Sequence, residues 1–153
     1  MPKKRGKERN KYIMVAAITL VFIALIVFSG LTQPPSQPKP SVTEYLEIYH
    51  DRSVGDGKNN NQSILLKIIG LKIKAVGGDA HYIEIDVGGA TERSYIDEIL
   101  QGETGETQIS TQGLAVDIEN GVFPIPIEVW CSETETGTLT VYAKPEELVF
   151  LGS

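Results

Sequence analysis

The sequence predicts an all-β domain, an immunoglobulin-like antiparallel β-sandwich, preceded by a single N-terminal transmembrane helix. Residues 12–31 (YIMVAAITLVFIALIVFSGL) carry no charge, and a helix of this length spans about 30 Å, the thickness of a hydrocarbon core. Residues 42–153 instead show short runs of β-branched and aromatic residues separated by Gly, Asn and Asp, which is typical of strands and turns. A proline-rich segment at residues 32–41 separates the two parts.

The charge distribution predicts the orientation of the helix. The tail at residues 1–11 has a net charge of +5, whereas residues 42–153 have a net charge of −12. Basic flanks stay in the cytoplasm, so we expect a retained single-pass anchor in the cell membrane, with the N-terminus cytoplasmic and the C-terminal domain extracytoplasmic. A cleaved signal peptide is one alternative, although its apolar run would be shorter. A second alternative is cleavage after Lys4-Arg5-Gly6, which resembles the processing site of archaeal pilins but is separated from the apolar run by residues 7–11.

The segment at residues 32–41 (TQPPSQPKPS) is predicted to form a stalk. Four prolines in ten residues favour extended polyproline II, which would span roughly 30 Å, and a flexible tether is the alternative. The remaining residues, 42–153, are enough for one domain with one hydrophobic core.

Residues 63–76 (SILLKIIGLKIKAV) are predicted to form a long strand with an irregularity at Gly70. The apolar phase runs through Ile64, Leu66 and Ile68 before Gly70 and moves by one residue after it, as in a β-bulge. A helix is the alternative for this run, but its β-branched content favours a strand.

Other strands are predicted where apolar and polar residues alternate. Asn120-Gly121 is a strong signal for a tight turn. Ser94 and Asp97 match a capping box loosely, so one or two helical turns are predicted over residues 95–100. About seven strands in this length favour the sandwich, with an open barrel or a jelly roll as alternatives. Besides residues 63–76, the expected strands are residues 42–49, 81–87, 113–119, 125–132 and 138–143.

Trp130 is the first candidate for partner binding. In the predicted strand 125–132, Ile127, Val129 and Cys131 share one face, so Trp130 is expected on the outer face. Exposed aromatic residues are enriched at interaction sites, and cover by a loop or a sheet edge is the alternative. Cys131 is the only cysteine and is expected to be a small buried apolar residue, with an intermolecular disulfide as the alternative.

Two further pairs are candidates for partner binding. Tyr45 and Tyr49 are expected to form an outward aromatic pair, with ordinary cross-strand packing as the alternative. Leu148 and Phe150 belong to an apolar C-terminal run, residues 148–151, whose exposure to water would cost free energy. We expect this run to pack on the sandwich after a turn at Pro145, and docking on a partner is the alternative.

The polar stretch at residues 51–61 is predicted to form a solvated hairpin loop. Asp51, Asp56 and Asn59 offer the oxygen atoms that calcium prefers, but their spacing matches no established calcium loop, so they are weak metal candidates. Asn61 lies in an N-x-S sequon and is a candidate for N-glycosylation outside the membrane.

The sequence indicates no catalytic motif, so neither an enzyme nor a cofactor is predicted. The only histidines are His50 and His81, and no phosphate-binding glycine loop joins a strand to a helix. The acidic domain disfavours nucleic acid as a partner. We expect a non-catalytic accessory or structural subunit that binds other protein subunits in a membrane or cell-envelope assembly. The alternative is an extracytoplasmic module that binds a cation, a glycan or an extracellular partner.

Overall fold

The structure is a computed structural model that describes residues 5–31, 36–57, 63–88 and 90–151, with the side chains of residues 5–10 and 26–31 left out. The chain divides into two compact units, Met1–Pro38 and Lys39–Ser153. The first contains helix α1 (Arg5–Leu31), whose large apolar side chains between Tyr12 and Leu25 are exposed. Among the described residues, no helix is long and apolar enough to cross a membrane. The transmembrane assignment of residues 12–31 therefore stays a prediction.

The second unit consists of two four-stranded β-sheets. Sheet 1 has the strand order β5-β2-β1-β8 and sheet 2 the order β4-β3-β6-β7. Neighbouring strands are antiparallel except β1 and β8, which are parallel. The elements in chain order are α2 (Val42–Tyr45), β1 (Leu46–Gly57), β2 (Ser63–Ala75), β3 (Ala80–Val87), β4 (Ser94–Ile99), β5 (Thr104–Asp117), β6 (Phe123–Trp130), β7 (Gly137–Ala143), a 3-10 helix (Pro145–Glu147) and β8 (Leu148–Phe150).

A single hydrophobic core joins the inner faces of the two sheets. Because successive side chains of a strand point to opposite faces, buried residues alternate with more exposed ones along much of β3 and β6. Sheet 1 contributes mainly the aliphatic residues of β2, and sheet 2 those of β3 and β6. The all-β prediction is confirmed, and the arrangement is that of a β-sandwich. The largest side chains that are almost fully buried are Leu66, Ile69, Leu71, Ile73, Ile83, Ile85, Ile109, Ile125 and Ile127.

Four strands and one turn follow the sequence pattern closely. Strand β2 ends one residue before the strand predicted at 63–76, so the helix alternative for that run is wrong. Strands β3, β6 and β7 lie within two residues of the segments predicted at 81–87, 125–132 and 138–143. At the predicted tight turn, Asn120 and Gly121 have φ angles of 51° and 83°. Positive φ at both central residues is the requirement of a type I′ turn, which explains the choice of these two residues.

The predicted helical turns at residues 95–100 are wrong, because this segment forms strand β4. Tyr95 pairs with Glu84, and Ile96 pairs with Ile83, along the edge of sheet 2. Ile99 is buried in the core. Strand pairing and burial outweigh a loose capping signal, which contributes about 1 kcal/mol.

The ends of two other strands also differ from the predictions. Val42–Tyr45 forms a helical turn rather than the start of a strand, and the backbone N–H of Ser41 donates a hydrogen bond to the Glu44 carboxylate (3.1 Å). Strand β5 begins at Thr104, well before the predicted start at Gly113, since it pairs along β2 over most of its length.

The change of apolar phase in β2 exists, but it lies before Gly70 rather than at it. Leu66 is buried, Ile68 is only half-buried, and Ile69 is buried again, so the phase changes between Leu66 and Ile69. The pairing of β2 with β5 shifts register at the same place. Gly70 has a different role: a Cβ there would lie 2.4 Å from the backbone oxygen of Arg52, so only glycine admits this close approach.

The C-terminal run packs on the sandwich, as predicted, through a turn at Pro145. The 3-10 helix is followed by β8, in which Leu148 lies beside Ser53 of β1 and is buried. The Glu147 carboxylate accepts a hydrogen bond from the buried His50 imidazole (2.9 Å), which fixes the start of β8. Phe150 is half-exposed, so only part of this run is covered.

Replacing Leu148 by alanine is expected to lower the free energy of unfolding of residues 39–153 by about 2–3 kcal/mol, because it removes a buried side chain and leaves a cavity. Val149→Ala, which alters an exposed neighbour, is the matched control and should change it by less than about 0.5 kcal/mol. Urea unfolding followed by circular dichroism measures both. Equal effects of the two substitutions would show that β8 does not pack as described.

Candidate functional site

Trp130 lies on the outer face of sheet 2. Its neighbours on β6 alternate strictly: Ile127 and Val129 are almost fully buried, whereas Glu128 and Trp130 are exposed. The exposed fraction of Trp130 is 41%, a large value for the most costly side chain to leave in water. The local pattern of β6 therefore places the indole at the surface.

Two tyrosines accompany Trp130 on this face. Glu84 of β3 pairs directly with Trp130 on one side and with Tyr95 of β4 on the other, so the three side chains form a row across the sheet. Tyr82 packs beside Tyr95, with ring centroids 6.4 Å apart. The exposed fractions of Tyr82 and Tyr95 are 55% and 54%. We call Tyr82, Tyr95 and Trp130 the aromatic face.

The backbone at Tyr82 is strained. Its φ angle is 52°, in the left-handed region that L-residues with bulky side chains rarely adopt. A residue held in this region costs of order 1–3 kcal/mol, and such residues cluster at binding sites and active sites. The strained residue, Tyr82, therefore lies within strand β3 and belongs to the aromatic face, not to a turn.

A cleft of about 300 Å³ adjoins the aromatic face. We call it the acidic cleft; it is lined by Glu84, Asp86, Arg93, Glu128, Trp130 and Thr136. The Arg93 guanidinium contacts the Glu84 carboxylate, and its Nε lies 3.4 Å from the Asp86 carboxylate. The hydrogen bond with Glu84 and the charges of Glu84 and Asp86 raise the pKa of Arg93, whose guanidinium is already a cation at neutral pH.

Like charges oppose each other in this cleft. Asp86 and Glu128 are directly paired across β3 and β6, an arrangement that destabilises a sheet. Arg93 forms ion pairs with Glu84 and Asp86, and Glu128 takes part in no ion pair among the described residues. The cleft therefore carries a net negative charge beside an exposed indole.

A second polar cluster lies at the end of sheet 2. The Glu133 carboxylate accepts hydrogen bonds from the His81 imidazole (2.7 Å) and from the Cys131 thiol (2.9 Å). The hydrogen bond to Glu133 raises the pKa of His81, and Glu98, 3.1 Å from the other ring nitrogen, adds to the effect. Partial burial alone would raise the pKa of Glu133, but the hydrogen bonds from Cys131 and His81 outweigh it and lower this pKa.

Cys131 is buried, as predicted, and its thiol also belongs to this polar cluster through the hydrogen bond to Glu133. Desolvation, reinforced by the hydrogen bond to Glu133, raises the pKa of the thiol to about 11. The thiol is therefore protonated at neutral pH, and the buried sulfur is out of reach of another chain's cysteine.

Tyr45 and Tyr49 do not form the predicted outward pair. Tyr45 lies in α2, is half-buried against the core and donates a hydrogen bond to the backbone oxygen of Asp79 (2.9 Å). Tyr49 is exposed on β1 and hydrogen-bonds to Glu47. The two residues differ in environment because the chain changes from helix to strand at Leu46.

The predicted loop at residues 51–61 is wrong in its first half, because β1 extends to Gly57. Asp51 lies 2.9 Å from the Lys72 ammonium, and Asp56 forms an ion pair with Lys67, so both carboxylates have cationic partners. Asn59 and Asn61 lie outside the described residues. Across the described ranges, no group of three or more His, Cys, Asp or Glu side chains is arranged to hold a metal ion.

The sequence predicts Trp130 as a partner-binding residue but not the residues around it. Those residues are Tyr82, Tyr95, Arg93, Glu84 and Asp86. The alternation of β3 and β6 indicates which of their residues face outward. Only the register between the two strands shows which of these residues lie side by side.

No protein-family model matches the sequence, and no curated protein is detectably similar to it.

The pH dependence of stability is expected to depend on His81. Because its pKa is raised in the folded state, the stabilisation is complete below the unfolded histidine pKa of about 6.5 and is lost as the pH rises through the folded value. The melting temperature of residues 39–153 should therefore fall as the pH rises above about 6.5. His81→Gln should reduce this fall, and Glu98→Gln should reduce it less. An unchanged fall in His81→Gln would contradict this assignment.

Proposed function

We propose that the chain is a membrane-tethered, non-catalytic protein whose immunoglobulin-like domain binds a partner protein through the outer face of sheet 2. The observation that carries this proposal is the aromatic face, three exposed rings on one surface beside the acidic cleft. Tryptophan and tyrosine dominate the energetics of protein interfaces, because they bury a large area with few rotatable bonds.

The strand order supports the immunoglobulin-like assignment. In an immunoglobulin-like domain, strands β1, β2 and β5 would be strands A, B and E, and the order β4-β3-β6-β7 would be C′-C-F-G. Strand β8 adds to the open edge beside β1. In this interpretation the aromatic face lies on the C′-C-F-G sheet, on strands C′, C and F.

The N-terminal sequence supports the membrane tether. Residues 12–31 are uncharged and follow a tail of net charge +5. The described side chains from Tyr12 to Leu25 are exposed, and a helix that is apolar on every side requires burial in protein or lipid. Retention of this helix would place the acidic domain outside the membrane.

Site-specific photo-crosslinking in the native host tests the proposal. A benzophenone amino acid replaces Tyr95 on sheet 2 or, as the matched control, Tyr49 on sheet 1, since both tyrosines are about half-exposed. We expect the Tyr95 variant to form a discrete protein adduct in the membrane fraction and the Tyr49 variant to form none.

Trp130→Ala in the same chain should remove the Tyr95 adduct, because the two side chains flank Glu84 on one surface. Protease added to intact cells should release the domain if it lies outside. Equal adducts at Tyr95 and Tyr49, or recovery of the uncleaved chain in the soluble fraction, would contradict the proposal.

A further inference from the structure

We propose that the partner presents an arginine or lysine side chain, which enters the acidic cleft and displaces Arg93 of this chain. This inference rests on the proposed function and names the chemistry of the partner. It is carried by the contacts of Arg93, by the unpaired carboxylate of Glu128 and by the distribution of charge over the domain.

Arg93 shows that the cleft accommodates a guanidinium. It belongs to the connection between β3 and β4, reaches back over the sheet to Glu84 and Asp86, and its side chain remains 63% exposed. An exposed ion pair contributes about 0–1 kcal/mol, so little free energy opposes its replacement by a cation from outside.

Glu128 provides a contact that Arg93 does not use. It lies opposite Asp86, next to Trp130 along β6 and across from Thr138 of β7. A partner cation that replaces Arg93 and also reaches Glu128 would relieve the repulsion between Asp86 and Glu128, and it would gain a cation–π contact with Trp130 that Arg93 does not make. The face therefore favours a basic group over an apolar or acidic one.

The distribution of charge along the chain extends this preference beyond the cleft. The strands of sheet 2 carry five carboxylates and no Lys or Arg, and Arg93 lies in the connection between β3 and β4. The five are Glu84, Asp86, Asp97, Glu98 and Glu128. Sheet 1 instead contains Lys67, Lys72 and Lys74 on β2, two of which neutralise carboxylates of β1. An approaching basic surface is thus attracted to sheet 2 rather than to sheet 1.

Binding of a blocked hexa-arginine peptide to the full chain in a neutral detergent tests the inference. Trp130 is the only tryptophan, so its fluorescence reports directly on the cleft. We expect a saturable change of emission that hexaglutamate does not produce.

Arg93→Gln should lower the dissociation constant at least about threefold, because it removes the competing internal cation. Arg52→Gln, which removes the same charge from an exposed position on sheet 1, is the matched control and should leave the constant unchanged. Glu128→Gln should raise the constant about tenfold, whereas Glu119→Gln, outside the cleft, should not.

The inference is overturned if Arg93→Gln weakens binding or matches Arg52→Gln, or if Ca²⁺ changes the emission and the peptide does not. These outcomes remain distinct from a failure of the proposed function. If the Tyr95 adduct forms but the peptide does not bind, sheet 2 is an interaction surface whose partner is not basic. If the Tyr95 adduct does not form, the proposal that sheet 2 is an interaction surface is wrong.

Discussion

The two-residue period of strand β6 is the constraint on which the rest of sheet 2 depends. Ile125, Ile127 and Val129 are almost fully buried between the sheets, and the core admits no other phase of this strand. A slip of one residue would bury Glu128 and Trp130 and expose three aliphatic side chains. The hydrophobic core therefore fixes the surface: by burying one set of residues it presents the other.

The carboxylates of the two sheets differ in their neighbours. On sheet 1, Asp51 and Asp56 each have a lysine partner on β2. On sheet 2, Asp86 and Glu128 oppose each other, and Tyr82 adopts a strained backbone next to Tyr95. Both features cost stability, and the positive φ of Tyr82 lies where the buried phase of β3 changes between Ala80 and Ile83. Their coincidence with exposed aromatic rings supports the proposal that this face binds a partner.

Local pattern was sufficient for part of the fold. Strands β3, β6 and β7 follow from alternation, and Asn120-Gly121 follows from the φ angles of its turn. Strand β4 does not, because its extended conformation depends on pairing with β3 and not on the pattern of its own residues.

The acidic cleft could not be predicted from the sequence for the same reason. Asp86 and Glu128 are far apart in sequence, and only the register of β3 with β6 places them side by side.

Quenching of Trp130 fluorescence by ions of opposite charge tests the central claim, that sheet 2 presents an exposed indole in an acidic surface. We expect caesium to quench the folded chain more efficiently than iodide, relative to free N-acetyltryptophanamide, because the carboxylates of Glu84 and Glu128 concentrate cations and exclude anions. The difference should shrink at high salt. Equal quenching by both ions at low salt, or weak quenching by both, would contradict the account.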